Sequence, residues 1–548
     1  MKKKISFFVV LTGMVFALSA CQLFDTGGGG YSYRPIGSKS TDDVPPSGDL
    51  VAKEPGRTYN DYIKNNVYPL SNTPTIGKAK LLVIPVWFND SSNFINEDKK
   101  MNVREDISAA YFGKNTDTGW RSVKSYYEEE SHGKLKIDGT VSNWYLPNTS
   151  YRTYKSDPDH SLTKSIVKEA SDWYFTNNPE DSRTNYDCDK DGYLDGVVLI
   201  YAAPDNSLFS DGDCSNLWAF CYWVQNVDVK NTVKPGANVF FWASYDFMYG
   251  KNRAASRTGN NKYADGDTSN NVDVDAHTYI HEMGHMFGLE DYYDYSSYGY
   301  APAGGFSMQD HNVGGHDPFS VFALGWGKAY VPVTSAEINI KPFVTSGEMI
   351  ILSPNWNAID SPFDEYLILE YYTNEGLNYF DSVHPYMEGV KQYPTGSLQS
   401  GIRLWHVDAR LLYKSKSNPF DTFGANKITN DPLISGNSVT GLLTDTYNDG
   451  AISMENLSPL ADRNPSDDHY SDFKLLELVR NSTTTSYLKT KQDMNSLSLF
   501  RAGDTFSMNK YARQFVNNGK LNNSSSLGFT FTINTLNSGY ASITVNKI

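Results

Sequence analysis

Three largely apolar runs stand out in the first 330 residues: "AKLLVIPVWF" (Ala79 to Phe88), "GVVLIYAA" (Gly196 to Ala203) and "NVFFWASYDFM" (Asn238 to Met248). They are rich in β-branched and aromatic residues and short for helices, so they predict buried strands. Between them, "VREDISAAYFG", "WRSVKSYYEEES" and Ile166 to Phe175 carry apolar residues at helical spacing, while "GKLKIDGTV" alternates like a strand. From about Val331 the period changes to two. "AEINIKPF", "EYLILEYY", "GIRLWHV", "SLGFTFTI" and "YASITV" are separated by Asn/Ser/Gly turns. That predicts an all-β region, a sandwich or two small modules. The pattern is that of an α+β chain with a mixed domain over 76–330 and a β-rich region over 331–548. A length of 548 residues suits more than one domain.

The first 75 residues read differently. Lys2 to Lys4 precede an apolar stretch, Ile5 to Ala17, too short to span a bilayer. It ends in Leu18-Ser19-Ala20-Cys21, which resembles a lipoprotein processing site: residues 1–20 a signal peptide and Cys21 the acylated new N-terminus. An ordinary signal peptide cut nearby is the plainer alternative. Several acyl chains on Cys21 would anchor stably where one is marginal. Gly27 to Gly30 and a Ser/Pro/Asp-rich stretch to about Gly56 predict a flexible tether, and residues 21–75 as a whole a tether or short pro-region. The expected location is the outer face of a bacterial membrane, with shedding as an alternative. A net charge of −15 argues against nucleic-acid partners. Cys214 and Cys221 are spaced to close a small loop, and free thiols fit equally well.

The chemistry concentrates in "HEMGHMFGLEDYYD", His281 to Asp294. On a helix, His281 and His285 share a face and can reach one cation. Glu282 stands beside the first of them, where a carboxylate can take a proton from a metal-bound water. This is the His-Glu-x-x-His arrangement of zinc peptidases. His277 lies one turn earlier, but eight residues span about 12 Å of helix axis, so three histidines cannot share one ion. Only His281 is followed by glutamate, which leaves His277 a structural or supporting role. Ala276, Ile280, Met283 and Phe287 form the core stripe. Gly288 can stop the helix and turn the chain back, and Asp291, three residues on, can return to the metal. The competing reading of Asp291 is a solvated turn acid. The spacing resembles the metzincin pattern with aspartate in the third position. "AGGFSMQD" supplies Met308 in a glycine-rich turn, the place where that pattern has a methionine under the metal; core filling is the alternative role. Asp317 and Pro318 predict the cap and first turn of a short helix.

A second cluster is "DCDKDGYLDG". Asp187, Asp189, Asp191 and Asp195, with the Tyr193 carbonyl and Gly192, match the first part of a calcium loop. Val198 stands where the closing glutamate belongs, so further ligands would have to come from elsewhere. An Asp-rich surface turn is the alternative.

These segments together resemble the immune inhibitor A-like bacterial metallopeptidases. The resemblance runs collinearly through "SVKSYYEEESHGKLKIDGTVSNWYLP", "DCDKDGYLDGVVLIYAA", "HEMGHMFGLEDYYD", "GGFSMQD", "DPFSVFALGW", "DEYLILEYY" and "SGIRLWHVD", roughly residues 77–410. It implies a zinc endopeptidase acting on proteins or peptides. Zinc would be held by His281, His285 and Asp291, with Glu282 as general base and structural calcium at the aspartate loop. A substrate peptide would lie antiparallel to an edge strand, with "NVFFWASYDFM" a candidate that is equally a core strand. Two other classes compete: a surface binding or adhesion lipoprotein on an inactive protease fold, and a metal-dependent hydrolase of a non-peptide bond. Intact His281, Glu282, His285 and Asp291 argue against the first.

Overall fold

The computed structural model describes residues 51–53, 72–115, 117–118, 120–206, 216–224, 230–252, 274–289, 291–292, 302–310, 312–354, 365–383, 387–388, 391–392, 396–408, 475–484, 495–515, 517–522 and 524–548. Cys21, the 1–20 segment and Cys214 lie outside them. So do the acids Asp265, Asp267, Glu290 and Asp294 and most of the expected tether.

The tether reading fails where it can be checked. Strand β1 (Val51–Lys53) pairs antiparallel with a strand near residue 330. Residues 72–75 are buried in the first domain. Asn72 Nδ2 donates to Leu194 O (2.5 Å), Thr73 Oγ1 to Asp195 O (2.6 Å), and Trp326 Nε1 to Thr75 O (2.6 Å). Buried amides and hydroxyls that find partners 122 residues away in sequence belong to the packed fold.

The first domain is built on β2 (Gly77–Val86), helices α1 (Lys100–Phe112) and α2 (Val123–Glu130), β3 (Leu135–Val141), α3 (Ser161–Asn177), β4 (Gly196–Tyr201), β5 (Phe220–Trp223), β6 (Val239–Ser244) and α4 (His277–Met286). Strand order is β3-β2-β4-β6-β5; all neighbours are parallel except β5, which runs antiparallel to β6. Every residue of β4 and β6 is buried, which is why they read as largely apolar runs. One face, with Val83, Val198 and Phe241, packs on α1, α2 and α4. The other, with Ile84, Leu199 and Trp242, packs on Ile166, Val167 and Ala170 of α3. Helix α2 opens with a capping box in which Ser122 and Ser125 satisfy each other's backbone N–H groups. Of the two readings of "NVFFWASYDFM", edge or core strand, the core one holds: Val239–Ser244 form the buried β6, and the short β5, "FCYW", pairs on its outer side.

After α5 (Pro318–Ala323) come β7 (Lys328–Val331), β8 (Ala336–Ile340), β9 (Glu348–Leu352), β10 (Glu365–Tyr372), β11 (Gly401–Asp408), β12 (Leu476–Val479), β13 (Thr505–Phe506), β14 (Phe529–Leu536) and β15 (Ala541–Lys547). They form a six-stranded sheet, β1-β7-β9-β10-β11-β12, and a four-stranded one, β13-β14-β15-β8. Ile350, Leu367, Leu404 and Phe531 fill the space between the sheets, making a sandwich. The opposite face of the six-stranded sheet, with Ile351, Ile368 and Trp405, shares one core with α4 and α5. This sheet is therefore a middle layer, covered on both sides. All eight residues of β10 and of β11 are buried.

Candidate metal centre

Helix α4 is fixed at both ends by its own chemistry. Asp275 Oδ1 accepts from His277 N at 2.9 Å. Tyr127 Oη donates to Ile280 O (2.6 Å) and Tyr279 Oη to Ser244 O (2.9 Å). The expected core stripe, Ala276, Ile280, Met283 and Phe287, is fully buried. At the other end Gly288 takes φ 93°, which costs glycine little. Gly288 N donates to His285 O (2.9 Å) and Leu289 N to Gly284 O (3.1 Å), a Schellman motif. The turn sends the chain back, and Asp291 arrives beside the histidines.

His281 Nδ1 lies 2.7 Å from Met308 O, and His285 Nδ1 lies 2.8 Å from Leu289 O. A carbonyl only accepts, so both Nδ1 atoms carry hydrogen, and both Nε2 atoms turn towards Asp291. Asp291 Oδ1 stands 2.9 Å from His281 Nε2 and 3.3 Å from His285 Nε2. The three donor atoms lie within 4.8 Å of one another. Burial opposes charge on His285, but the Asp291 carboxylate and then Glu282 push it up to about 10. Burial would likewise raise Asp291, but His285 and His281 hold it well below the usual carboxylate range. A divalent cation satisfies the same attraction by replacing the proton, so the donor set fits a metal. Glu282 is 6% exposed. Burial raises its carboxyl, against the pull of His285 and His281.

Met308 is fully buried in a turn where Gly304 (φ 71°) and Gly305 (φ 78°) bend the chain. Gly305 N donates to Asp310 Oδ2 (3.0 Å) and Ser307 Oγ to Asp317 Oδ2 (2.8 Å). Asp317 also caps α5 through Ser320 N (2.9 Å), as its place before Pro318 predicts. His277 Nε2 turns instead to Asn312 O (3.0 Å) and stands outside the donor cluster. Sequence reasoning missed Gln309. Its side-chain amide packs 3.4 Å from His285 Nδ1, whose hydrogen goes to Leu289 O, and its backbone carbonyl accepts from Tyr292 N at 2.8 Å. A Cβ on Gly284 would meet Gln309 Oε1 at 2.2 Å, which explains the glycine inside the motif. Only the position of Gln309, just after Met308, could have hinted at this.

In the aspartate loop, oxygens of Asp187, Asp189 and Asp195 lie within 4.8 Å of one another. Asp191 stands outside that group, its Oδ1 accepting from Tyr193 N (2.9 Å). Gly192 (φ 92°) donates to Asp187 Oδ2 (3.1 Å). Asp195 accepts from Lys80 N (2.7 Å) and Cys188 N (2.9 Å). Asp187 Oδ1 is buried without a hydrogen-bond partner. Burial pushes the Asp195 carboxyl up to about 7.

A mixed α/β domain whose helix presents two imidazole Nε2 atoms, a neighbouring glutamate and a returning aspartate has the build of a metallopeptidase. Residues 71–233 match the family model described as the immune inhibitor A peptidase M6 catalytic domain. The family implies a catalytic metal and protein or peptide substrates. The matched stretch runs from the start of the packed fold past β5, and α4 lies beyond it. No curated protein matches the chain.

Proposed function

We propose that this protein is a zinc-dependent endopeptidase. The observation that carries the reading is the pair of Nδ1–carbonyl hydrogen bonds, which bring both Nε2 atoms to one oxygen of the Asp291 carboxylate. His281 Nε2, His285 Nε2 and Asp291 would hold the ion. When bound, zinc supplies Lewis acidity, lowering the pKa of a coordinated water and polarising the scissile carbonyl. Glu282 accepts the proton of the attacking water at its carboxylate and passes it to the departing amine nitrogen. Burial raises its carboxyl above the ordinary glutamate range. The imidazoles cannot turn, because each Nδ1 is tied to a backbone carbonyl. A substrate strand would lie alongside β5, the last and antiparallel strand of the sheet among the described residues.

The aspartate loop is a structural calcium site in this reading, at the entrance to β4. The orphaned Asp187 Oδ1 is an oxygen that a cation would satisfy. Cys21 carries the lipid that holds the enzyme on the outer face of a bacterial membrane. Among the described residues no helix is long and apolar enough to cross one. Cys21→Ser should move the protein from the detergent to the aqueous phase with peptidase activity intact; retention in detergent refutes the anchor.

The test of the mechanism is Glu282→Gln. The amide is nearly isosteric and is not a ligand, so metal content should stay at the wild-type level. Turnover of a casein or peptide substrate should fall about 10²–10⁴-fold. An active Glu282→Gln enzyme overturns the mechanism.

A further inference from the structure

The strand "GIRLWHVD" buries a cation on the same face as Trp405 and Val407. Arg403 of β11 is 4% exposed. It sits directly opposite Glu370 of β10 in the sheet register, and its Nη1 lies 3.3 Å from Glu370 Oε1. Trp405 Nε1 donates to the same oxygen at 2.9 Å. A lone buried carboxylate is costly, and this pairing offsets the cost. The guanidinium is also sandwiched between rings. Its carbon is 3.9 Å from the Tyr372 centroid and 5.0 Å from that of Phe306.

Phe306 belongs to the other domain. It is 1% exposed and lies two residues before Met308, whose carbonyl fixes His281. The same turn is held a second time from the β region, because Leu478 N of β12 donates to Pro302 O at 2.8 Å. The six-stranded sheet thus grips the methionine turn at its first residue and at its aromatic midpoint.

We propose that Arg403 is a positioning residue for the metal centre. It holds Phe306 flat, Phe306 sets the height of the Met308 carbonyl, and that carbonyl orients the His281 imidazole. The β-rich region is then part of the active-site scaffold and not a detachable module. The inference rests on the reading of His281, His285 and Asp291 as metal ligands.

Arg403→Lys keeps a charge for Glu370 but loses the planar group that stacks on both rings. Phe306→Leu keeps the ion pair and removes the aromatic contact. The full-length chain and both variants are loaded with cobalt(II) in place of zinc. Visible absorption and cobalt affinity, measured by chelator competition, are compared with thermal unfolding. Both variants should bind cobalt about 10–100-fold more weakly, the scale for lost orienting contacts around a ligand, and both should shift the visible band. If both match the wild type in band and affinity, whatever their melting temperature, Arg403 is only a packing residue and the proposal is wrong. If Arg403→Lys does not fold, Phe306→Leu alone decides on the same two readings. A wild-type chain that takes up no cobalt overturns the metal-centre reading itself. Equal binding by wild type and variants overturns only the role of Arg403.

Discussion

The histidine cluster and the aspartate loop hold their donors in opposite ways. In the first, the Nδ1 atoms that face away from the cluster are tied to carbonyls, and the Nε2 atoms that face into it meet only the Asp291 carboxylate in the cluster. Its donors come from a helix and from the chain returning after it, braced by a turn some 20 residues further on. In the second, Asp195 clamps Lys80 N and Cys188 N with both oxygens and Asp187 Oδ2 takes Gly192 N, which leaves Asp187 Oδ1 as the orphaned oxygen. In the proposed reading the first arrangement serves a reacting metal, and a cation at the second would add stability without adding chemistry. Donor count alone does not separate the two, since each groups three ligand atoms within 4.8 Å.

The sharpest way to break this contrast is to remove one donor from the first cluster. Asp291→Ala should lower metal occupancy and reduce turnover about 100-fold or more, partly rescued by excess zinc, with little change in the calcium response. Full activity at wild-type zinc content would place the third ligand elsewhere. In the second cluster, an Asp187→Asn/Asp189→Asn chain should lose calcium-dependent stabilisation. That is worth about 2.7 kcal/mol at a calcium concentration 100 times Kd. Turnover per folded molecule should be unchanged. Melting curves of the two chains that respond identically to calcium would mean the loop binds none.

A smaller effect probes the packing under the histidines. Gly284→Ala drives a methyl into Gln309 and should cost about 1–3 kcal/mol in thermal unfolding. An unchanged Tm would show that Gln309 moves freely and does not brace His285.

The smallest effect concerns pH. Glu130 of α2 accepts from His316 N (2.7 Å), and burial pushes its carboxyl up to about 8 from 4.5. A carboxyl raised in the folded state favours the fold most at low pH, and that contribution is lost as pH rises from 4.5 to about 8. Glu130→Gln removes this titration while keeping an acceptor for His316 N. The decline in Tm between pH 5 and 8 should therefore be shallower in the variant. Some slope should remain, because Asp381 is raised to about 8 in the same way. Equal slopes would mean Glu130 does not titrate in that range.

Much of this was legible in the sequence because the rules are local. Largely apolar runs gave β2, β4 and β6, and the Asp317-Pro318 pair gave the start of α5. The Gly288 stop and the three-residue step to Asp291 brought the third donor into place. What escaped was set by distant packing. Strand β5 is four half-buried residues without a periodic signal, so nothing local marked it as the strand beyond β6. β11 mixes apolar and polar residues on both faces and both are buried, with Arg403 neutralised by a partner 33 residues away. Residues 72–75 looked like tether because they are short and polar; their hydrogen bonds to Leu194, Asp195 and Trp326 are invisible in a local window.

The most direct test of the account is a metal count per chain on the purified wild type, Asp291→Ala and His277→Ala proteins. The geometry predicts about one tightly held zinc in the wild type and in His277→Ala, whose imidazole faces Asn312, and clearly less than one in Asp291→Ala. Full zinc in Asp291→Ala together with loss of zinc in His277→Ala would contradict it, because the ion would then sit on a different set of histidines.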